Sequence, residues 1–518
     1  MAQTASDLTY DCVVVGSGNA GFCAAHSAIE HGCIQVLVVD KCPESWAGGN
    51  GYFTAGALRT VHGGLPDLLP IVNNVSPEMQ DKIDLEPYTA ENYTSDIMRL
   101  GQNRSDPLLV KALVDNSRDA VGWLTKHVGV RTMLSFHRQA YEVNGRQRFW
   151  GGVHLSTVDG GKGLIEDHRR KANEEGIEVW FECPAVRLIV EDGAVKGVVV
   201  HKAGKDISIR AAGVVLAAGG FEANAVLREK YMGPEWKEAH VRGTPYNQGD
   251  GFILSQAVNA ALCGDWQGCH STCWDAAAPK DTGDQVLSNQ FTKSGYPLGV
   301  MANADGKRFV DEGEDMRNYT YARFGRKILE QPGGIAWQIY DDKVVPLLRK
   351  EEYADDVVRK IYAGSLEELA DKLVADGVHD RITLFDTLQK YNDAIRKNGR
   401  NAQIQFNPSI KDGLSTQSDD GGLELPKTNW AQTIDQAPFV AVKVSCGITF
   451  TFGGLKIDPE TAAVLNKEGR VIDGLYCTGE MVGNLFYSNY PGGSGLTAGA
   501  VFGRKAGREI AKLAAAQH

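Results

Sequence analysis

The strongest constraint on the fold is a glycine motif that lies between an apolar segment and a helical pattern early in the sequence. The apolar segment 11–15 predicts a buried parallel strand, and the motif G-x-G-x-x-G follows it as Gly16, Gly18 and Gly21. A second apolar segment is then followed by Asp40. A strand, a glycine turn, a helix and a second strand that ends in an acid together predict a dinucleotide-binding unit.

Each residue of this unit has a physical role. Gly16 allows a tight turn, Gly18 lets the backbone approach a pyrophosphate, and Gly21 lets the helix pack closely on the strand. The helix that begins at Asn19 and Ala20 offers free N–H groups and the positive end of its dipole to phosphates. The sequence therefore predicts an α/β domain of the Rossmann type.

The rest of the chain indicates which dinucleotide is bound. Asp40, next to Lys41, is expected to accept hydrogen bonds from ribose hydroxyls. Glycine makes up 59 of the 518 residues, about 11% against a usual value of about 7%. The glycine clusters recur far along the chain, which suits the elongated FAD. Further cofactor-binding candidates lie in or near these clusters: Gly49, Asn50, Gly51, Gly56, Val186, Ala218, Gly219, Asp250, Glu480, Ser494, Gly495 and Leu496.

A helical pattern near the C-terminal end of the sequence strengthens the FAD prediction. A helix that begins at about Leu496 would direct the positive end of its dipole at the N1 and C2=O edge of the flavin. That edge gains negative charge on reduction, so the dipole would raise the electron affinity of the flavin.

Charge and hydropathy exclude several classes of protein. The 54 Lys and Arg against 65 Asp and Glu give a net charge of −11, which argues against nucleic-acid binding. The sequence holds no apolar stretch long enough for a membrane span, and residues 1–7 do not read as a signal peptide, so we expect a cytoplasmic protein. We expect the ten cysteines to be free thiols. Cys269 and Cys273 flank His270, but this spacing alone does not predict a metal site.

These segments resemble the flavoprotein subunits of fumarate reductase and succinate dehydrogenase and their soluble relatives. The relatives include tricarballylate dehydrogenase, urocanate reductase and the 3-ketosteroid dehydrogenases. The resemblance covers nearly the whole chain and is strongest to tricarballylate dehydrogenase-like members, through segments 447–454 and 489–493.

The resemblance implies a domain organisation. It predicts an FAD-binding domain made of two sequence segments, 1–264 and 447–518, with an inserted α+β cap domain at 265–446. Amphipathic helical patterns between residues 320 and 400 agree with such a cap.

The resemblance also implies site residues. His270 lies in a His-Ser-Thr triplet that matches the family's substrate histidine, and Arg317 matches the family's catalytic arginine. Arg317 would transfer the proton, relayed by an acid such as Glu312 or Glu314. Arginine stays protonated up to a pKa above about 12, so it acts as a donor only if a relay restores its proton, or else as an electrostatic anchor.

The sequence departs from the family pattern at three places. Thr449 and Phe450 stand where fumarate reductases carry a histidine pair, and Tyr490 stands where an arginine clamps a substrate carboxylate. Loss of a bidentate partner argues against fumarate or succinate as substrate. A tyrosine near the flavin also resembles the ketosteroid dehydrogenases. Asn50 stands where membrane-bound members attach FAD to a histidine, so non-covalent FAD is expected.

The sequence therefore predicts an FAD-dependent oxidoreductase. It would move a hydride between flavin N5 and a C–C bond next to a carboxylate or ketone, with His270 and Tyr490 holding that group. The leading substrate is a tricarballylate-like polycarboxylate.

A ketone or natural-product desaturase or ene-reductase with a tyrosine-assisted site is the alternative enzyme. A non-catalytic electron shuttle or redox sensor, and an NAD-dependent dehydrogenase, are further alternatives. The electron acceptor is oxygen, a quinone, a separate protein or an alkene.

Structural roles remain open for the three site residues. His270 could be a satisfied buried histidine, Arg317 could form a salt bridge between cap and core, and Tyr490 could pack beside the flavin. A group of five aromatic residues could line an apolar pocket or form the core of the cap: Trp266, Trp274, Tyr296, Phe309 and Tyr319.

Overall fold

The computed structural model describes residues 8–419 and 421–517, so the expectation for residues 1–7 lies outside the described residues. Its first large sheet confirms the predicted α/β fold. At the centre, strand Leu8–Val15 lies parallel between Val36–Val39 and Lys205–Leu216. The sheet is completed by Glu178–Trp180, Ala185–Glu191, Ala194–Lys202, Ala463–Leu465 and Val471–Cys477.

Two helices far apart in sequence pack against each other beside this sheet. Asn19–Glu30 follows the glycine motif, and Ser494–Ala515 begins two residues before the predicted start. They approach closely because the second helix carries glycines on the contact face. A Cβ on Gly503 would lie 2.8 Å from the backbone oxygen of Ala20, and a Cβ on Gly507 would lie 2.3 Å from that of Ala24.

The second large sheet is formed around two long antiparallel strands. Leu262–Asp275 pairs with Phe439–Leu455, and four shorter strands complete the sheet. These are His240–Val241, Val300–Asn303, Ala336–Tyr340 and Lys360–Ala363. The proposed domain divisions at 264/265 and 446/447 fall inside the two long strands, and the division into domains stays a prediction.

Helices beside the second sheet confirm the helices predicted from the amphipathic patterns between residues 320 and 400. They are Arg317–Leu329, Leu366–Asp376 and Arg381–Lys397. The last two cover the sheet with a leucine-rich face that includes Leu369, Leu373 and Leu388. Other helices of at least seven residues are Ala90–Leu100, Pro107–Trp123, Gly160–Glu174, Ala225–Met232 and Asp250–Gln256.

Several properties of the described residues bear on function. All ten cysteines are free thiols, and nine of them are buried. No helix within the described ranges is long and apolar enough to cross a membrane. Within the same ranges, no group of three His, Cys, Asp or Glu side chains is placed to hold a metal ion.

Candidate active site

A long cleft follows the carboxyl ends of the parallel strands in the first sheet. Gly16, Asp40 and Ala217 each follow one of these strands directly, and all three line the cleft. Gly479 lines it two residues after a fourth strand. Ligands of open parallel sheets bind in this crevice, so the fold places a ligand where the glycine motif predicts one.

Most of the predicted cofactor residues lie together along this cleft. Those that line it are Gly16, Gly18, Asn19, Ala20, Asp40, Lys41, Gly49, Asn50, Gly51, Ala218, Gly219, Asp250, Glu480, Gly495 and Leu496.

Four predicted cofactor residues lie outside the lining. Gly21 sits where a Cβ would be 2.0 Å from the backbone oxygen of Gly16, so it serves the close helix packing. Gly56 has a φ of +76°, which favours glycine at this position whatever the ligand. Val186 is 46% exposed, and its neighbour Ala185 lines the cleft instead. Ser494 is buried, and its hydroxyl donates to the backbone oxygen of Pro491 at 2.7 Å.

The donors at the cleft fit the phosphates and ribose of FAD. The helices that begin after Gly18 and Gly493 have no side-chain cap, so N–H groups of their first turns can face a ligand, although the N–H of Ser494 donates to the backbone oxygen of Pro491 at 3.3 Å. Asp40 accepts bonds from the N–H and hydroxyl of Ser17 at 2.8 and 2.7 Å and from the N–H of Cys42 at 3.0 Å. A carboxylate has about four acceptor positions, so one is left for a ribose hydroxyl.

Asn50 is held firmly beside the middle of the cleft. Its side-chain amide donates to Oε1 of Glu222 and to the backbone oxygen of Thr449, both at 2.5 Å. Its carbonyl oxygen accepts from the N–H of Thr244 at 2.9 Å. An amide carries no nucleophile that could bond to a flavin.

Two glutamates, the buried Glu222 and the half-buried Glu480, face each other next to Asn50. A Cβ on Gly220 would lie 2.1 Å from Oε1 of Glu480 and 2.8 Å from Oε2 of Glu222. Burial and the charge of Glu222 raise the pKa of Glu480 well above its usual value. The N–H and hydroxyl of Thr451 donate to Glu480 at 2.7 and 3.0 Å. The raised pKa of Glu480 favours its protonated form, since two adjacent carboxylates repel each other when both are ionised.

Four arginines line the other end of the cleft: Arg138, Arg242, Arg317 and Arg349. Two of them are neutralised. Arg138 and Arg349 approach Oε1 of the buried Glu352 at 3.3 and 3.0 Å, and Arg138 also pairs with Glu351 at 2.8 Å.

Arg242 and Arg317 differ from this pair because their described partners are neutral. Nη1 and Nε of Arg242 donate to the hydroxyls of Thr449 and Thr292 at 3.0 and 3.3 Å. Arg317 donates to the hydroxyl of Ser294 at 2.9 Å and to the backbone oxygen of Arg138. Burial lowers the pKa of both guanidinium groups. Among the described residues, neither arginine has a carboxylate within salt-bridge distance, so their charges are free for an anionic ligand.

An aromatic wall stands at the same end of the cleft and consists of His270, Tyr321, Phe450 and Tyr490. The hydroxyls of Tyr321 and Tyr490 lie 3.1 Å apart. The His270 ring lies 4.8 Å from the Tyr321 ring and 5.4 Å from the Tyr490 ring, centre to centre. Burial, and then the charge of Arg242, lowers the pKa of His270 well below its usual value, so the imidazole is neutral.

The three predicted catalytic residues thus line one end of the cleft, but the predicted relay acids lie elsewhere. Glu312 accepts from Nε of Arg308 at 3.1 Å, and Glu314 pairs with Arg323 on the surface. Ser294, which the sequence analysis missed, accepts a hydrogen bond from Arg317 instead. Its hydroxyl donates to Oε2 of Glu352 at 2.5 Å.

The aromatic group considered earlier belongs to the core. Among the described residues that line the cleft, none is one of those five. Trp266 stacks on Phe221 at 5.6 Å, and Tyr296 packs on Phe324 at 4.6 Å. Trp274 lies beneath the guanidinium of Arg242.

Comparison with known proteins agrees with this geometry. The sequence matches a family model described as an FAD-binding domain over residues 11–67 and 72–496. A probable fumarate reductase of Shewanella frigidimarina is 30% identical over 98% of this chain and 75% of its own length.

Two solved structures share the fold. The open conformation of a flavocytochrome c3 fumarate reductase superposes with a TM-score of 0.69 at 27% identity, covering 99% of this chain and 80% of that one. A 3-ketosteroid delta1-dehydrogenase from Sterolibacterium denitrificans superposes with a TM-score of 0.71 at 21% identity, covering 97% and 99%.

The fold and the cleft define an FAD-dependent oxidoreductase that acts on CH–CH groups. Within that class, the chain belongs to the FAD-binding family that contains the fumarate reductases, and it shares its fold with the 3-ketosteroid dehydrogenases. FAD is its cofactor.

Proposed function

We propose that this enzyme reduces or forms a C–C double bond conjugated with a carboxylate. The observation that carries the proposal is the pair of uncompensated guanidinium groups, of the buried Arg242 and the half-buried Arg317, at one end of the FAD cleft. A bound carboxylate would neutralise them, and hydrogen bonds between ionised partners are the strong ones.

Arg317 is proposed to move the proton. FAD, when bound, supplies or accepts the hydride. Arg317 stays protonated in spite of its lowered pKa and can donate a proton to the carbon next to the carboxylate carbon. Ser294 and Glu352 form the relay that restores this proton, and the pairing of Arg138 with the exposed Glu351 extends the relay to solvent.

Arg242 is proposed to hold the substrate carboxylate, together with the neutral His270. In the described structure Nδ1 of His270 is buried and lacks a hydrogen-bond partner. A positioned donor beside a carboxylate or carbonyl stabilises the carbanion-like charge that develops next to it. Asn50 supports non-covalent binding of FAD, since its amide is no nucleophile.

A tricarballylate-like polycarboxylate is one substrate that the excess of arginine supports. A second candidate, an unsaturated ketone, is supported by the paired hydroxyls of Tyr321 and Tyr490, which could donate to a carbonyl oxygen. We also propose a reducing compartment such as the cytoplasm, which the ten free thiols support. The electron partner is proposed to be a quinone or a separate protein.

The proposal is tested with the purified FAD-loaded protein. The reduced enzyme is mixed anaerobically with unsaturated mono-, di- and tricarboxylates and with unsaturated ketones, and the return of the oxidised flavin spectrum is recorded. The oxidised enzyme is mixed with the saturated counterparts, and bleaching is recorded. We expect a response to carboxylates. A response to ketones alone would favour the second candidate, and no response to any compound would favour an electron carrier.

A further inference from the structure

The residues at the substrate end form two groups, here called its two sides, that differ sharply in charge. One side carries four arginines against two glutamates, Glu351 and Glu352. The other side is aromatic and is formed by Phe450, Tyr490 and Tyr321. Behind this wall lie Phe452 and Phe486, whose ring centres are 5.5 Å from Phe450 and 5.2 Å from Tyr490 respectively.

The charges that act on Tyr490 belong to Arg242, which would hold the first carboxylate, and to Arg59, which pairs with Asp96 at 3.7 Å, so neither is left for a second carboxylate. His270 is neutral, and the hydroxyls of Tyr321 and Tyr490 lie within hydrogen-bond distance of each other at 3.1 Å. Burial raises the pKa of Tyr490 well above its usual value, so this side gains no charge near neutral pH. An ionised carboxylate placed there would lose its hydration without a paired cation.

An aryl group suits the same wall. The rings of Phe450 and Tyr490 are 5.7 Å apart and tilted by 39°, and the His270 ring stands at 76° to the Tyr490 ring. Aromatic rings at these separations attract one another through edge and face contacts. A planar apolar substituent therefore gains contacts where a carboxylate loses solvation.

From this asymmetry we infer that the substrate is a 2-enoate with an aryl group on C3, or its saturated counterpart. The inference rests on the proposed function and specifies its substrate. The carboxylate would lie at Arg242 and the aryl group against Phe450 and Tyr490. In the reductive direction the C=C π bond breaks, C3 receives a hydride and C2 receives a proton through Arg317. The substrate thereby gains the two electrons that the reduced cofactor gives up.

The test compares three acids that share a carboxylate and differ at C3. (E)-3-Phenylprop-2-enoate, (E)-but-2-enoate and fumarate are offered to the FAD-loaded enzyme, with a reduced dye as electron donor. We expect kcat/KM for the phenyl acid to exceed that for fumarate by about 100-fold or more. Of the two saturated counterparts, 3-phenylpropanoate should bind more tightly than succinate, with the lower dissociation constant measured by calorimetry.

Two variants of the wall sharpen the comparison. Tyr490→Arg should lower kcat/KM for the phenyl acid and raise it for fumarate, whereas Tyr362→Arg, at an exposed tyrosine, should change neither. Phe450→Leu keeps the wall apolar and should weaken binding of 3-phenylpropanoate more than that of butanoate. This second variant keeps the test decisive if Tyr490→Arg does not fold.

The outcomes separate the inference from the proposed function. Preference for fumarate or a tricarboxylate by the native enzyme, with turnover still dependent on Arg242, would overturn the aryl inference and leave the proposed function standing. Failure of every carboxylate to bind or react would overturn both.

Discussion

The guanidinium of Arg317 donates a hydrogen bond from Nη1 to the hydroxyl oxygen of Ser294 at 2.9 Å. This contact links the half-buried Arg317 to the carboxylate of Glu352, which accepts a hydrogen bond from the hydroxyl of Ser294. Neither Ser294 nor Glu352 belongs to a motif visible in the sequence. In the proposed mechanism this contact would be the route by which a proton donated by Arg317 is replaced.

Replacing Arg317 tests the proton donor directly. Arg317→Ala should lower steady-state turnover by about 1000-fold, because general acid catalysis contributes factors of this order. FAD should stay bound, since the described side-chain bonds of Arg317 go to Ser294 and Arg138. Turnover and the visible spectrum are measured together. Arg323→Ala, on the same helix but paired with Glu314 on the surface, is the control. Substantial turnover in Arg317→Ala would remove the residue from this role.

The relay is tested at Ser294. Ser294→Ala should lower kcat by about 10-fold or more and displace the pH–rate profile, because it breaks the path between Arg317 and Glu352. The dissociation constant of the acid should change little. Ser294→Thr keeps the hydroxyl and should recover most of kcat. Ser288→Ala serves as control, since that hydroxyl is buried without a hydrogen-bond partner in the described structure. An unchanged profile in Ser294→Ala would exclude the relay.

Arg242→Met should separate substrate binding from stability. KM for the carboxylate substrate should rise by about 100-fold, since a charged hydrogen bond is worth about 1.5–3 kcal/mol. The thermal midpoint should not fall, because the substitution removes a buried charge without an ionic partner. Arg326→Met is the matched control, since Arg326 likewise lies over a tryptophan, Trp236, but outside the cleft. A lower midpoint with unchanged KM would give Arg242 a purely structural role.

The glutamate pair predicts an unusual pH dependence of stability. The folded-state pKa of Glu480 is raised, so the native state binds more protons than the unfolded state above the ordinary value of about 4.3. Its contribution to stability is therefore lost as the pH rises from that value towards the folded-state pKa. Glu480→Gln imitates the protonated acid and should have the higher thermal midpoint at pH 8, with the difference shrinking at pH 5. A difference independent of pH would contradict the raised pKa of Glu480.

The close contact between helices Asn19–Glu30 and Ser494–Ala515 predicts the effect of one added methyl group. Gly507→Ala should destabilise the protein by about 1–3 kcal/mol, because its Cβ would meet the backbone oxygen of Ala24 at 2.3 Å. The bound FAD should also dissociate more readily, since both helices begin at the cleft. Gly399→Ala is the control, because a Cβ there would meet no described atom within 4 Å. Thermal unfolding and flavin release are measured for both variants.

The sequence predicted the cofactor end of the cleft better than the substrate end. Gly16, Gly18 and Asp40 lie within one local unit whose spacing has a physical meaning, and the first sheet confirms that unit. Val186 was predicted to bind the cofactor, but its neighbour Ala185 lines the cleft. Successive side chains of a strand point to opposite faces, and spacing in the sequence does not fix which of them faces the ligand. The assignment of individual cofactor residues stays a prediction.

At the substrate end, tertiary packing decides which residues meet. Arg138, Arg242 and Arg349 come from separate segments without a common motif, so sequence spacing could not bring them together. The nearby acids Glu312 and Glu314 were chosen by distance along the chain, but their side chains pair with Arg308 and Arg323. His270, Arg317 and Tyr490 were found through resemblance, and their roles stay predictions.

One hydrogen bond joins residues from nearly opposite ends of the described chain. The amide of Asn19 donates to the backbone oxygen of Leu496 at 3.0 Å, and 477 positions separate the two residues. A nascent chain must add all of these residues before the two halves of the cradle can meet. The cradle is therefore complete only after nearly the whole described chain has been made.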